Sequence, residues 1–175
     1  MTETKVKKQK KGLSGKGCRN KGAAGEREAL RLLEELFDVP PHTLKRNQNQ
    51  TAFGGADCID LPYFALEVKR CATLDLTQWW AQTLNQAEAH DRWPLLLYRV
   101  DRQRSWTIVI NLGLIMQFSS GRLMSLEPDY SQLDSPVAMT PEAFRAYLNQ
   151  VMLLPAIKSE LTKGDSYDKG SCSIN

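Results

Sequence analysis

At 175 residues, 42% of them hydrophobic and 25% charged, the chain suits one globular domain with a sizeable core and tails, and two full domains would be cramped. No apolar run approaches the roughly 20 residues that span a bilayer, and the lysine-rich start has no apolar signal region, so a cytoplasmic protein with no membrane partner is expected. The net charge of +3 conceals an asymmetry, because residues 1–22 carry eight lysines and arginines against Glu3 alone, which leaves the remainder at −4.

Residues 1–21 lack apolar periodicity and hold Gly12, Gly15 and Gly17 among lysines, which predicts a disordered basic arm. Such an arm on a mildly acidic domain suits a polyanion, since each lysine near a phosphate releases condensed counterions. Lys16, Arg19 and Lys21 are its candidate DNA contacts, with Arg70 as a further one inside the domain; a solubilising tail is the alternative for the arm. Order is expected from Gly22. Ala23, Leu30, Leu33 and Phe37 recur at helical spacing until Pro40-Pro41 forbids continuation.

A short strand is predicted over Thr43–Arg46, then a turn at Gly54-Gly55. Strands follow over Ala56–Leu61 and Phe64–Cys71 around a tight turn at Pro62. Leu76–Asp91 reads as a helix, and Pro94–Val100 and Trp106–Asn111 as strands joined by the charged turn at residues 101–104. The order α-β-β-β-α-β-β implies an α/β fold, a central sheet covered by helices. Beyond it, a short helix over Leu112–Ser119 and a last helix toward Leu153 are expected, the latter with Thr140 as N-cap and Pro141 at its first position. The domain would then span 22–155, followed by a loose polar tail over 156–175. Cys18, Cys58, Cys71 and Cys172 are scattered without a CxxC pair and read as reduced thiols.

In the strand Phe64–Arg70, side chains alternate, so Glu67 and Lys69 share one face and Phe64, Leu66 and Val68 the other. Asp57 precedes Glu67 across a turn, and an antiparallel arrangement would bring the two carboxylates to one end of the sheet, whereas Asp60 has the opposite parity and should face away. Magnesium prefers one or two carboxylates completed by water and phosphate oxygens, which such a pair supplies. Lys69 would orient a water or neutralise developing charge.

Glu26 lies on the apolar side of the first helix, in register with Leu30, Leu33 and Phe37. It therefore either meets a metal ion, a lysine or a shared polar site, or caps the first turn at the rim of the core. Gln78, Gln82 and Gln86 form a polar stripe on the second helix beside Trp79 and Trp80. These tryptophans belong to the core, unless one stacks on a base or covers the site. His42 and His90 lack metal-binding spacing, and no nucleophile elbow or phosphate-binding glycine loop is present.

The series Gly25-Glu26-Arg27-Glu28, Gly55-Ala56-Asp57 and Glu67-Val68-Lys69 resembles the PD-(D/E)XK nuclease superfamily, in its archaeal-type and phage Holliday-junction resolvase branch, over roughly Gly22 to Asn111. Ala56 stands where the motif's name has proline, a position that shapes a turn and binds no metal. The resemblance implies a restriction-endonuclease-like fold with a mixed central β-sheet flanked by helices. It also implies a homodimer that cuts branched DNA in a bacterial or phage-infected cell, using Mg2+, with Mn2+ able to substitute. By position it makes Asp57 and Glu67 metal ligands, Glu26 the helix carboxylate of the metal set, Lys69 the motif lysine, and Arg27 and Arg46 DNA contacts. Gln86 falls at a catalytic glutamine of several branches, with Gln82 as the alternative in helix register.

Within the same fold a restriction-like or repair endonuclease, or an exonuclease, would use the same residues. A non-catalytic nucleic-acid-binding protein is the reading from another class, but a pure binding surface gains nothing from acids that repel phosphate. A structural or scaffold protein is third, and leaves Glu26 unexplained.

Overall fold

A computed structural model describes residues 15–48, 55–119 and 135–163. Among them, a four-stranded mixed sheet is flanked by helices, in the order α1 (Gly15–Phe37), β1 (Phe64–Cys71), α2 (Leu76–Ala89), β2 (Trp93–Val100), β3 (Thr107–Asn111), α3 (Leu112–Ser119), β4 (Pro136–Met139), α4 (Pro141–Gln150) and α5 (Leu153–Lys163). None of these helices is long and apolar enough to cross a membrane.

The sheet runs β1-β2-β3-β4, with β1 and β2 parallel and the other two pairs antiparallel. A parallel pair needs a crossover, and α2 supplies it. Asp75 caps that helix, its carboxylate accepting from the Gln78 N–H at 3.2 Å. Glu67 stands opposite Leu96 and Lys69 opposite Tyr98. Side-chain alternation then sorts the sheet into two faces. Phe64, Leu66, Val68, Leu95, Leu97, Ile108 and Ile110 face the main core with α1, α4 and α5, while Leu96, Tyr98 and Val109 pack under Trp79 and Trp80 of α2.

α1 buries Ala29, Leu30, Leu33, Leu36 and Phe37 against the main core. It ends as its sequence requires. Asp38 turns into the left-handed region at φ 54°, the Val39 N–H closes back on the Glu34 carbonyl at 3.1 Å, and Pro40-Pro41 follows. Gly25 lets the helix approach β1, since a Cβ there would stand 3.0 Å from the Cβ of Arg70.

Several elements differ from expectation. The helix starts at Gly15, so residues 15–21 of the basic arm are helical, tied down by an ion pair between Lys21 and Asp101 at 2.6 Å. The earlier part of the arm, residues 1–14, lies outside the described residues. Residues 56–61 form no strand, and with Thr43–Arg46 they share one antiparallel bridge, Arg46 to Cys58. β4, a short edge strand with exposed and half-buried residues, has no counterpart among the predicted elements. The last predicted helix is two helices, α4 stopping at Gln150 before a turn in which Met152 takes φ 59°. α5 then continues to Lys163 through part of the predicted tail, because Leu153, Leu154, Ile157 and Leu161 recur at helical spacing and are buried. Residues 164–175 of that tail lie outside the described residues.

Candidate functional site

β1 has β2 on one side; on its other side lies the segment around Asp57. Asp57 behaves there as a one-residue strand partner. Its N–H donates to the Leu66 carbonyl at 2.7 Å, and its carboxylate Oδ2 accepts the Val68 N–H at 2.6 Å. A carboxylate that replaces a strand carbonyl is held firmly, because a buried β-strand N–H must find an acceptor. The segment is braced in turn by Asn47, whose N–H donates to the Asp57 carbonyl at 2.9 Å and whose side-chain amide donates to the Ala56 carbonyl at 3.0 Å.

Glu67 lies between the two residues that Asp57 touches, with its side chain on the α2 face. Asp57 is 5% exposed and Glu67 2%. Glu67 Oε1 pairs with the Lys69 ammonium, which also donates to Gln82 Oε1 at 2.9 Å. Glu67 Oε2 is buried and accepts no hydrogen bond among the described residues, and the same is true of Gln86 Oε1 on the facing helix. Unpaired buried oxygens are costly and uncommon, and each calls for a donor or a cation that completes it. The alanines Ala56, Ala65 and Ala87, which come from the Asp57 segment, β1 and α2, pack together in a small buried cluster.

Glu26 is engaged elsewhere. Its carboxylate pairs with Arg46, whose backbone bridges Cys58, so α1 is linked to the segment that carries Asp57. Among the described residues no three His, Cys, Asp or Glu side chains gather closely enough to hold a metal ion, so Glu26, Asp57 and Glu67 do not form a three-carboxylate cluster. The partner of Glu26 is thus an arginine, one residue of a loop that the periodicity of α1 does not reveal.

The remaining predicted contacts are distributed around this centre. Arg70 donates to Glu28 at 2.8 Å, and Arg99, stacked 4.9 Å over the Trp106 ring, pairs with the same carboxylate. Arg27 is exposed and borders a shallow hollow of about 190 Å³ with Arg31, His42 and Arg46. Arg19 is exposed, Lys21 pairs with Asp101, and the side chain of Lys16 lies outside the described residues. Trp79 and Trp80 are both buried in the second core, so neither covers the site or offers a face to a base. Asp60 is exposed, but no strand parity sets its direction, since the segment is not a strand and Ile59 is exposed beside it while Cys58 is buried.

Sequence reasoning missed Glu34, a 5% exposed acid whose Oε1 accepts the Leu44 N–H at 3.0 Å and staples the loop after α1 to the helix. It missed Asn47 as the brace of Asp57 as well. Cys58 and Cys71 are free thiols, and burial pushes Cys58 up to about 11, which removes it as a nucleophile. No family model matches the chain, and no curated protein or solved structure matches it either.

Proposed function

We propose that the chain is a divalent-metal-dependent nuclease of the PD-(D/E)XK type, hydrolysing DNA phosphodiester bonds with magnesium, or manganese in its place. The observation that carries the reading is the buried Glu67 carboxylate, one oxygen paired with Lys69 and the other without a partner, beside an Asp57 fixed on the same strand edge. The donor set fits the metal, since two carboxylates offer hard oxygens and leave positions for water and phosphate. When bound, such a cation polarises a water and offsets charge on the phosphoryl oxygens.

The residues of the chain divide the rest of the work. Asp57 and Glu67 would hold the ion, and the hydrogen bond from Val68 to Asp57 keeps its carboxylate from swinging away. Lys69, held between Glu67 and Gln82, keeps a positive charge at the edge of the site, where it steers the scissile phosphate and orients the attacking water. Glu26 enters this reading through Arg46, as a brace rather than a ligand. Within the class we favour a homodimeric Holliday-junction resolvase acting on branched DNA, a choice supported by the motif resemblance of residues 22–111. The non-catalytic DNA-binding reading draws its support from Glu26, which pairs with Arg46 and joins no cluster of three metal ligands among the described residues.

The test is incubation of the protein and of Lys69→Ala with labelled four-way junction, linear duplex and single-stranded DNA, with magnesium and with chelator. Paired symmetric nicks in the junction, lost in the variant and with chelator, are expected. Cleavage of the linear or single-stranded substrates alone would keep the nuclease and discard the resolvase. Tight binding without cleavage under any divalent metal would replace both with the binding protein.

A further inference from the structure

A groove of about 540 Å³ follows α2 past the candidate site, lined by Gln78, Gln82, Asn85, Gln86 and His90 with Gly55 opposite. A second hollow of about 270 Å³ shares Gly55 and His90 with it and continues toward Asn47 and Arg92. Among the described residues, the larger groove has no Asp, Glu, Lys or Arg in its lining, although the chain is rich in all four. A groove for phosphates alone would be cationic, because phosphate binding proceeds by charge neutralisation. Side-chain amides are suited to a different partner, the edge of a nucleobase, to which Asn and Gln present a donor and an acceptor at once.

Two details define that partner further. Gln82 Oε1 is committed to Lys69, which puts the amide row next to the residue that would meet the scissile phosphate. Gln86 Oε1 is a buried acceptor with no donor among the described residues, and an N–H brought into the groove would complete it once the side chain turns to meet it. We infer that this groove takes an unpaired nucleobase bearing an exocyclic amino group, beside the phosphate that Lys69 addresses. Resting on the nuclease reading, this makes nucleic acid with single-stranded or extruded nucleotides the substrate class. A base in continuous duplex has its pairing edge occupied and cannot enter without being unstacked first.

Binding by the full chain is measured by fluorescence anisotropy in chelator, so that no step depends on cleavage. The probes are a single-stranded adenine oligonucleotide, a strand of the same length with abasic sites, and a blunt duplex. Wild type is compared with Gln86→Ala, which removes the buried acceptor, and Ala81→Leu, which narrows the groove. Gln86 is half-buried and Ala81 exposed on α2, and alanine and leucine are both good helix formers, so circular dichroism should report an intact fold. The adenine strand is expected to bind about tenfold tighter than the abasic one, the increment of one good amide–base contact, with a ratio near one in both variants. The salt slope should be the same for adenine and abasic strands, because the amides release no counterions. Equal affinity of the adenine and abasic strands for wild type, or an unchanged ratio in folded variants, overturns the inference. Selective binding without cleavage of any DNA would defeat the nuclease reading and leave the groove assignment standing. Cleavage without base selectivity would do the reverse.

Discussion

The two faces of β1 are built for opposite ends. Toward α1, Phe64, Leu66 and Val68 enter an apolar core that includes Leu33, Phe37 and Phe144, with the Phe64 and Phe144 rings edge to face at 6.1 Å. Toward α2, one residue further along the same strand, Glu67 pairs with Lys69 and Lys69 with Gln82, while Glu67 Oε2 and Gln86 Oε1 are buried without a partner among the described residues. The apolar side of α2 persists, through Trp79, Trp80, Leu96, Tyr98 and Val109, but it lies over β2 and β3. The main apolar cluster therefore lies on one face, and the buried Glu67 carboxylate with its lysine lies on the edge strand of the other. That separation is what a functional site requires, since polar groups held for chemistry seldom serve the fold.

Neighbouring substitutions on β1 test this division, and the largest effect is expected there. Leu66→Ala removes a fully buried side chain and should cost about 2–5 kcal/mol in denaturant unfolding. Glu67→Gln keeps shape and removes charge from a buried site. It should shift stability by less than about 1 kcal/mol in either direction while cutting metal-dependent DNA cleavage by about a hundredfold. If Glu67→Gln unfolded the protein as Leu66→Ala does, Glu67 would be a structural residue and the two faces would not differ in kind.

A smaller effect belongs to the apolar side. Glu34→Ala leaves the buried Leu44 N–H without its acceptor, and about 1–3 kcal/mol should be lost. The same variant should leave DNA cleavage by the folded protein within about twofold, because Glu34 acts on the loop after α1 and touches neither Asp57 nor Glu67. A loss of cleavage without loss of stability would show that the two faces communicate through the Arg46 segment.

Much of this division is legible in the sequence. Alternation alone separates Glu67 and Lys69 from Leu66 and Val68, and the structure places β1 at Phe64–Cys71, the residues that pattern predicts. The N-cap at Thr140 was legible for an equally local reason, with its side chain accepting the Ala143 N–H at 3.2 Å. What stayed hidden depends on partners distant in sequence. Glu26 reads as an acid on an apolar face, but its neutralising Arg46 sits in a loop whose path follows from the backbone bonds of Lys45 and Asn47 to the Asp57 segment. β4 has four residues and no apolar alternation of its own, and it exists because β3 offers it an edge. Residues 56–61 look like a strand by composition, yet their strand-like backbone bonds are limited to those of Asp57 and Ile59 on either side of the Cys58 bridge, and the carboxylate of Asp57 takes the place of further backbone pairing.

The smallest expected effect concerns the start of α1, where local preference and tertiary contact disagree. Gly15, Gly17, Gly22 and Gly25 fall within its first eleven residues, and glycine is the poorest helix former after proline, so the segment is helical by virtue of what it touches. What it touches is ionic: Lys21 reaches Asp101, and Glu28 holds Arg70 and Arg99. The hydrogen bond from Lys21 holds the Asp101 carboxyl below its ordinary value of 3.8. A carboxyl depressed in the folded state lends stability above its unfolded pKa and withdraws it as pH falls through the folded one, so the contact should loosen only on acidification below the ordinary carboxylate range. Asp101→Asn at neutral pH should reproduce that loosening, and high salt should do so in part because both groups are near solvent. Hydrogen exchange should then accelerate over residues 15–24 while the denaturation midpoint of the domain stays where it was, since the apolar part of α1 begins at Ala29. A fall in the midpoint with unchanged exchange over those residues would mean that the ionic seam supports the whole domain, and that the apolar face does not hold α1 by itself.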